Sequence, residues 1–245
     1  MYTKTFDLYD DLYEWKDYAA EARALRRFLP AAPRGRRRTL LDVACGTGKH
    51  LAVLRKDFDV EGTDVNPKML GIARRRLPGV RLTTADLEKL DLGRTFDAVT
   101  CLFSSVGYVR TLPRLRRACA SLAAHVAPGG VLILEPWLTP AAFHSGTPHM
   151  TTVSRPDLKL ARACTGTRKG RLSILDMHHV VSTGQATTHR VERHVMGLFT
   201  DAETRAALRA TGLIVRHDKK GLMGRGLWIA TRPAGVTRHR RKDRV

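Results

Sequence analysis

No stretch of this 245-residue chain approaches the run of about 18 apolar residues that a membrane-spanning helix needs. Cysteine is scarce. Cys45, Cys101, Cys119 and Cys164 are widely spaced and form no C-x-x-C pair, so a cysteine metal site or redox pair is not expected, and a reduced, cytoplasmic protein is. The acidic, aromatic start MYTKTFDLYDDLYEWKDY does not fit a signal or transit peptide. Two nucleotide fingerprints are also missing. In G-x-G-x-x-G the third glycine would fall on Leu51, and no G-x-x-x-x-G-K-[ST] run occurs. Acids are few, 23 against 43 Lys and Arg, leaving a net charge of +20. Two runs, Arg34–Arg38 and Arg238–Arg244, each contribute four of these charges. Such a surface attracts polyanions and would also steer a small anion such as a nucleotide diphosphate. The plainer account is a solvated basic face with a disordered tail.

What is present is ordinary globular composition, 43% apolar and 27% charged. Residues 6–29 read as one amphipathic helix ending at Pro30, by the spacing of Leu8, Leu12, Trp15, Ala19 and Ala22. Apolar strands then alternate with helices. TLLDVA, DFDVEGTDV, VRLTTA, FDAVTCLF and GVLILEP are the strands; Asn66-Pro67 opens one helix, and Pro128-Gly129-Gly130 is expected to close another. Five nearly all-apolar strands with intervening helices predict an α/β fold with a doubly wound, mostly parallel sheet. Residues 150–198, rich in Thr, Val and His, predict an antiparallel meander of three or four strands. Thr200 to Glu203 reads as a capping box, and LIVRHD with GLWIATR as a hairpin returning to the main sheet.

The most informative segment is LLDVACGTGKHL, where an apolar strand runs through Ala44, Cys45, Gly46 and Gly48 into a helix. Small residues allow close backbone approach, and the helix start offers unpaired N–H groups. Two acids follow at the ends of the next strands. Asp64, 18 residues past Gly46, is placed to take both hydroxyls of a ribose, and Asp86 to accept from an adenine amino group. Either acid alone could be a solvated turn residue; the series gives the pattern its specificity.

This series resembles the Rossmann-like S-adenosylmethionine-dependent methyltransferases, whose loop reads acid-x-x-x-Gly-x-Gly, here Asp42 to Gly48. Within them LLDVACGTGKHL, FDAVTCLFSSVGYV, APGGVLILEPW and GRGLW resemble the aminosugar N,N-dimethyltransferases of macrolide antibiotic pathways, which act on nucleotide-linked amino sugars. The resemblance covers most of residues 1–232. It implies S-adenosylmethionine as cofactor, a small, anionic nucleotide-sugar substrate, a homodimer, and an antiparallel insert over the site. The expected organisation is a cofactor-binding core with an N-terminal lid over 1–140, the insert over 141–199, a return to the sheet over 200–232 and a tail over 233–245.

The same resemblance assigns Tyr9, Ala44, Cys45, Gly46, Gly48, Asp64, Met69, Asp86, Leu87 and Leu102 to the cofactor. Met69 reads equally as core. Tyr18, Trp137, Arg162, His178 and Arg225 are implied for the substrate, although a solvated arginine is the simpler reading of either Arg. Methyl transfer is an in-line displacement that needs alignment, exclusion of water and an unprotonated amine more than a strong base. Tyr108, where the related enzymes carry a His, and Tyr2 are the candidate catalytic residues. A phenol could orient an amine or simply pack the pocket. Trp15 is assigned to packing. His179, His189 and His194 lack a consistent acidic partner, so no metal site is expected.

Three alternatives stay open at this point: O-methylation of a natural product, methylation of RNA, and a non-catalytic partner that has lost the cofactor. Charge favours RNA. Against it, the segment after the fourth strand is Leu102-Phe103-Ser104-Ser105 where amino-directed nucleic-acid enzymes carry Asp/Asn-Pro-Pro-Tyr/Phe. Cytosine-C5 enzymes use a Cys nucleophile in this region, but no Pro follows Cys101 here, and strand alternation could bury it as a small apolar residue.

Overall fold

The computed structural model describes residues 2–29 and 37–234. The helix end at Pro30, most of the basic run 34–38 and the tail from residue 235 lie outside them. Strands β1 (Arg38–Val43), β2 (Phe58–Asp64), β3 (Arg81–Thr84), β4 (Phe96–Cys101) and β5 (Val126–Leu134) run parallel. Two further strands, β10 (Ile214–Asp218) and β11 (Leu227–Thr231), pair antiparallel and close the sheet in the order β10-β11-β5-β4-β1-β2-β3. The chain order therefore reverses between β1 and β4. At that point the connections leave in opposite directions and open a crevice at the carboxyl ends of the strands.

Alternation of side chains splits the core between the two faces. Helices α2 (Tyr18–Arg26) and α3 (Lys49–Leu54) lay Ala22, Leu25, Leu51 and Leu54 against Leu40, Val60 and Ala98. On the other face α5 (Leu112–Ala124) and α6 (Asp201–Arg209) lay Leu115, Leu122, Ala207 and Leu208 against Leu41, Val99 and Leu132. Thr200 and Glu203 form the expected capping box. Helix α4 (Pro67–Arg76) starts behind its Asn66 cap, whose side chain accepts from the Lys68 N–H at 3.0 Å. Inserted between β5 and α6 is a four-stranded antiparallel meander: β6 (Pro148–Ser154), β7 (Leu158–Lys169), β8 (Leu172–Thr183) and β9 (Thr187–Gly197).

Two expectations need correction. The N-terminal helix is broken: a 3-10 turn at Phe6–Leu8 leads into α1 (Tyr9–Leu12), and the chain turns before α2 restarts. Asp17 causes the restart, its carboxylate accepting from the Ala20 N–H at 2.8 Å as an N-cap. Pro128-Gly129-Gly130 does not close α5 but bulges inside β5, where Phe96 faces Val126 while Ala98 faces Val131. A Cβ on Gly130 would lie 2.8–3.1 Å from three carbonyl oxygens, so only glycine fits there.

The break in the helix lets α1 serve the insert and α2 the core. Leu8, Leu12 and Tyr13 pack with Leu160 and Val181 of the meander. At the junction the buried Lys16 ammonium meets the Glu21 carboxylate, whose other oxygen lies 2.7 Å from His50 Nε2 on α3. Truncating Glu21→Ala strands a buried ammonium, which costs about 3–5 kcal/mol. The melting temperature, followed by circular dichroism, is expected to fall by roughly 10 °C. A change within experimental error would refute this clamp.

Candidate active site

At the switch point the loop after β1 takes a backbone path that mostly glycine can follow. Ala44, Gly46 and Gly48 all have positive φ, as do Phe103 and Ser104 at the end of β4. Non-glycine residues rarely accept that conformation, and such strain gathers at binding sites. Asp64 fixes the loop from the neighbouring strand. One carboxylate oxygen accepts the Gly46 N–H at 2.9 Å and the other accepts the Asn66 N–H at 2.8 Å. Burial raises the Asp64 pKa against the pull of these donors. Beneath the loop Asp42 is buried and accepts from Thr100 Oγ1 at 2.7 Å; burial pushes its pKa up to about 6. At the third strand end one Asp86 oxygen accepts the Glu88 N–H at 2.9 Å.

From this edge a cavity of about 650 Å³ extends beneath the meander. Tyr2, Tyr9, Ala44, Gly46, Asp64, Met69, Asp86, Leu87, Tyr108, Trp137, Arg162 and Arg225 all line it. Cys45, Leu102 and Tyr18 instead line a narrower cleft on the far side of the loop. Tyr18 stacks edge-on against His50 there, at 4.8 Å between ring centres. Gly48 lines neither space. Its Cβ would lie 2.7 Å from Leu77 Cδ1 and 3.3 Å from Ala73 Cβ, so this glycine is required for α3 to pack on α4. His178 is misplaced by the sequence reading. Strand alternation turns it to the outer face of β8, exposed and stacked on His189, while Met177 faces the cavity. Trp15 is no packing residue either: it is 61% exposed and stands at the cavity wall. Cys101 is fully buried among the α5-face residues, burial raises its thiol pKa, and it does not line the cavity.

A hydrogen-bonded chain runs along the cavity roof. Arg162, a donor only, donates from Nη1 to Tyr13 Oη at 2.9 Å, and Tyr13 Oη lies 2.6 Å from Tyr2 Oη. Arg225 lies 4.8 Å over the Trp137 ring and donates to Ser104 Oγ at 2.9 Å. Sequence reasoning missed three groups: Tyr13, Glu192 and the cavity-facing role of His194. The Glu192 carboxylate, almost fully buried, accepts from Thr3, Lys4 and Thr5 at 2.7–3.2 Å and fastens the N-terminal segment to β9. Despite burial, those donors hold its pKa below the usual range. The 189-residue separation of Thr3 from Glu192 leaves no local signal for it.

Residues 40–130 match the methyltransferase domain family. The chain is 40% identical over 231 residues to the dTDP-3-amino-3,4,6-trideoxy-alpha-D-glucopyranose N,N-dimethyltransferase of Streptomyces venezuelae, covering 91% of this chain and 95% of that protein. It belongs to the aminosugar N,N-dimethyltransferase family. A second member, the dTDP-3-amino-3,6-dideoxy-alpha-D-glucopyranose N,N-dimethyltransferase of Streptomyces fradiae, is 39% identical over 91% of this chain and 88% of its own. Among solved structures, a SAM-bound amino pentose methyltransferase from Micromonospora echinaspora superposes with a TM-score of 0.82, at 38% identity over 95% of this chain and 98% of that one. The protein is thus a methyltransferase whose cofactor is S-adenosylmethionine.

His194 is 1% exposed, and its pKa is lowered to about 4, first by burial, with Arg162 and His179 acting the same way and Glu192 opposing them. Unfolding returns it to about 6.5. Between these values the unfolded chain binds the extra proton, so this contribution to stability is complete above pH 6.5 and falls away toward pH 4. His194→Asn, which cannot titrate, is expected to flatten the acid side of a urea-midpoint profile by about 3 kcal/mol over that interval. A mutant profile parallel to the wild type would contradict a buried neutral imidazole.

Proposed function

We propose that the protein transfers methyl groups from S-adenosylmethionine to the amine of a nucleotide-linked amino sugar. The observation that carries this is one continuous cavity. Its lining runs from the Gly46 and Asp64 edge to two guanidinium groups, Arg162 and Arg225, that have no carboxylate partner among the described residues. Arginine forks suit a diphosphate.

The donor set at the inner end fits the cofactor. A carboxylate has about four lone-pair sites. Asp64 uses two on backbone N–H groups and keeps the rest for ribose hydroxyls; Asp86 keeps one oxygen for an adenine amino group, beside Leu87. Ala44, Cys45, Gly46 and Leu102 form the loop face, Met69 the purine side, and Tyr9 the roof. Uncharged rings of Tyr2, Tyr9 and Phe103 suit a sulfonium cation. When bound, S-adenosylmethionine would supply an electrophilic methyl group to the amine lone pair, with the S–C electrons staying on sulfur and the resulting ammonium giving its proton to water.

The chain's own residues orient and dry the acceptor. Burial raises the pKa of Tyr108, so it remains a phenol and is no base for a sugar hydroxyl. This favours an amine, nucleophilic once unprotonated, over O-methylation. Trp137 walls the substrate end, and the N-terminal segment tied by Glu192 serves as the lid. Tyr18, in the cleft with His50, acts on the substrate only through the loop it supports. Residues 1–140 then carry the cofactor, 141–199 cover the substrate, and 200–232 complete the sheet. The setting we propose is antibiotic biosynthesis in the cytoplasm, where four unpaired cysteines are chemically at home. We also propose a homodimer, an exposed Val180 on the outer face of the meander being available for its contact.

Incubation with S-adenosylmethionine and a panel of dTDP-amino sugars is expected to give a product carrying two methyl groups on one nitrogen, located by mass spectrometry and NMR. Transfer only to total RNA, or only to oxygen, would refute the proposal. Asp64→Ala is expected to weaken cofactor binding by at least about tenfold, roughly 1.4 kcal/mol, in calorimetry, with the fold retained; unchanged affinity would refute its ribose role.

A further inference from the structure

The buried His194 imidazole on the cavity wall meets a second ring of that wall. His194, on β9, lies with its Nδ1 2.6 Å from Tyr108 Oη, the ring centres 5.9 Å apart. Both rings line the cavity, and burial keeps both uncharged at neutral pH. The contact therefore contains one shared proton. A phenol O–H is a stronger donor than an imidazole N–H, and a bare imidazole nitrogen a stronger acceptor than a phenol oxygen. The arrangement that pairs the stronger donor with the stronger acceptor is Oη–H donating to Nδ1, with the imidazole proton on Nε2. That Nε2 is buried, has no hydrogen-bond partner among the described residues, and belongs to a ring lying 4.7 Å from that of Tyr2. Held this way, Tyr108 has no proton left to offer the cavity. Its oxygen presents lone pairs only.

We infer that His194 is a positioning residue that locks the Tyr108 hydroxyl as a pure hydrogen-bond acceptor, and that this acceptor selects amines still bearing an N–H. The inference rests on the amino-sugar reading and deepens it. An N–H held on Tyr108 Oη leaves the nitrogen lone pair free to face the methyl group. A primary amine and its monomethyl product each have an N–H to give, while the neutral dimethylamine has none. The dimethylammonium formed first still carries an N–H; once it has given that proton to water, the neutral product has nothing to donate to Tyr108 and the contact is lost. A hydroxyl could donate its proton to Tyr108 as well, but passing that proton on to Nδ1 would leave a buried imidazolium, which burial and Arg162 oppose. Among the described residues, Arg162, His179 and Glu192, from β7, β8 and β9, also act on His194, and the Tyr2 ring faces it at 4.7 Å.

The test compares Tyr108→Phe, His194→Phe, the double variant and His194→Asn, whose amide oxygen can replace Nδ1. Each single Phe variant is expected to lower kcat about tenfold, the value of one hydrogen bond of roughly 1.4 kcal/mol. The double variant should be no worse than either, and His194→Asn should recover most of the loss. With S-adenosylhomocysteine bound and the pH above the amine pKa, the wild type should bind the primary amine more tightly than the dimethyl product. Both Phe variants should erase that preference. Multiplied losses in the double variant, an unaffected His194→Phe, or a preference that survives in Tyr108→Phe would overturn the inference. So would a pH–rate limb that disappears with His194, which would make His194 itself the base. One arm needs no substrate: nitrogen NMR of the wild type should show Nδ1 bare and Nε2 protonated, and the reverse tautomer overturns the proposal. If no amino sugar is methylated by the wild type, the broader reading fails while this arm still decides the tautomer.

Discussion

The bond from the Gly46 N–H to Asp64 joins the ends of two neighbouring parallel strands and sets the shape of everything above them. A loop with three consecutive positive-φ positions at alternate residues, Ala44, Gly46 and Gly48, would not hold its form without an anchor. Asp64 supplies it from outside the loop and keeps lone pairs to spare. The loop's geometry and its ligand contact thus converge on one carboxylate. Its burial carries a desolvation cost, offset by backbone N–H groups rather than by a cation. A counter-cation at this place would compete with a sulfonium for the same cavity.

The roof is built on a different principle. The N-terminal segment has little core of its own, and it is held by carboxylates: the buried Glu192 gathers three residues at one end, while the half-buried Asp10 accepts from Thr47 Oγ1 at 2.7 Å and ties α1 to the cofactor loop. Farther along, Glu21 joins Lys16 to His50. The roof is thereby linked to the meander and to the loop together. Within it the rings that face the cavity are uncharged, and burial raises the pKa of Tyr2, Tyr9 and Tyr108. On a chain with a net charge of +20, the cavity is thus lined by uncharged rings, with the Asp64 and Asp86 carboxylates at the cofactor edge and Arg162 and Arg225 among its other walls.

The parallel sheet and its acids were legible because both are local. Apolar runs five to nine residues long, a Gly-x-Gly and an acid at each strand end need no long-range information. Breaks and facings were harder. Residues 6–29 keep helical periodicity, but Lys16 is drawn to Glu21 and Asp17 caps a new helix, so tertiary contact overrides the pattern. His178 and His179 differ by one position, and only the cross-strand register decides that His179 is fully buried and His178 faces out. The partnership of Tyr108 with His194 spans 86 residues and two elements, beyond the reach of any spacing rule. Charge was the least informative signal: it argued for a polyanion, whereas the cavity and the family point to a small molecule.

The account stands on the adenosyl group lying between the Gly46 loop and Asp64. A crystal structure with S-adenosylhomocysteine measures this directly. The account predicts both ribose hydroxyls on the Asp64 carboxylate, the adenine amino group on Asp86, and the sulfur directed toward Tyr108. Density for the compound anywhere else, or a crevice beside Gly46 that stays empty at saturating concentration, would contradict it.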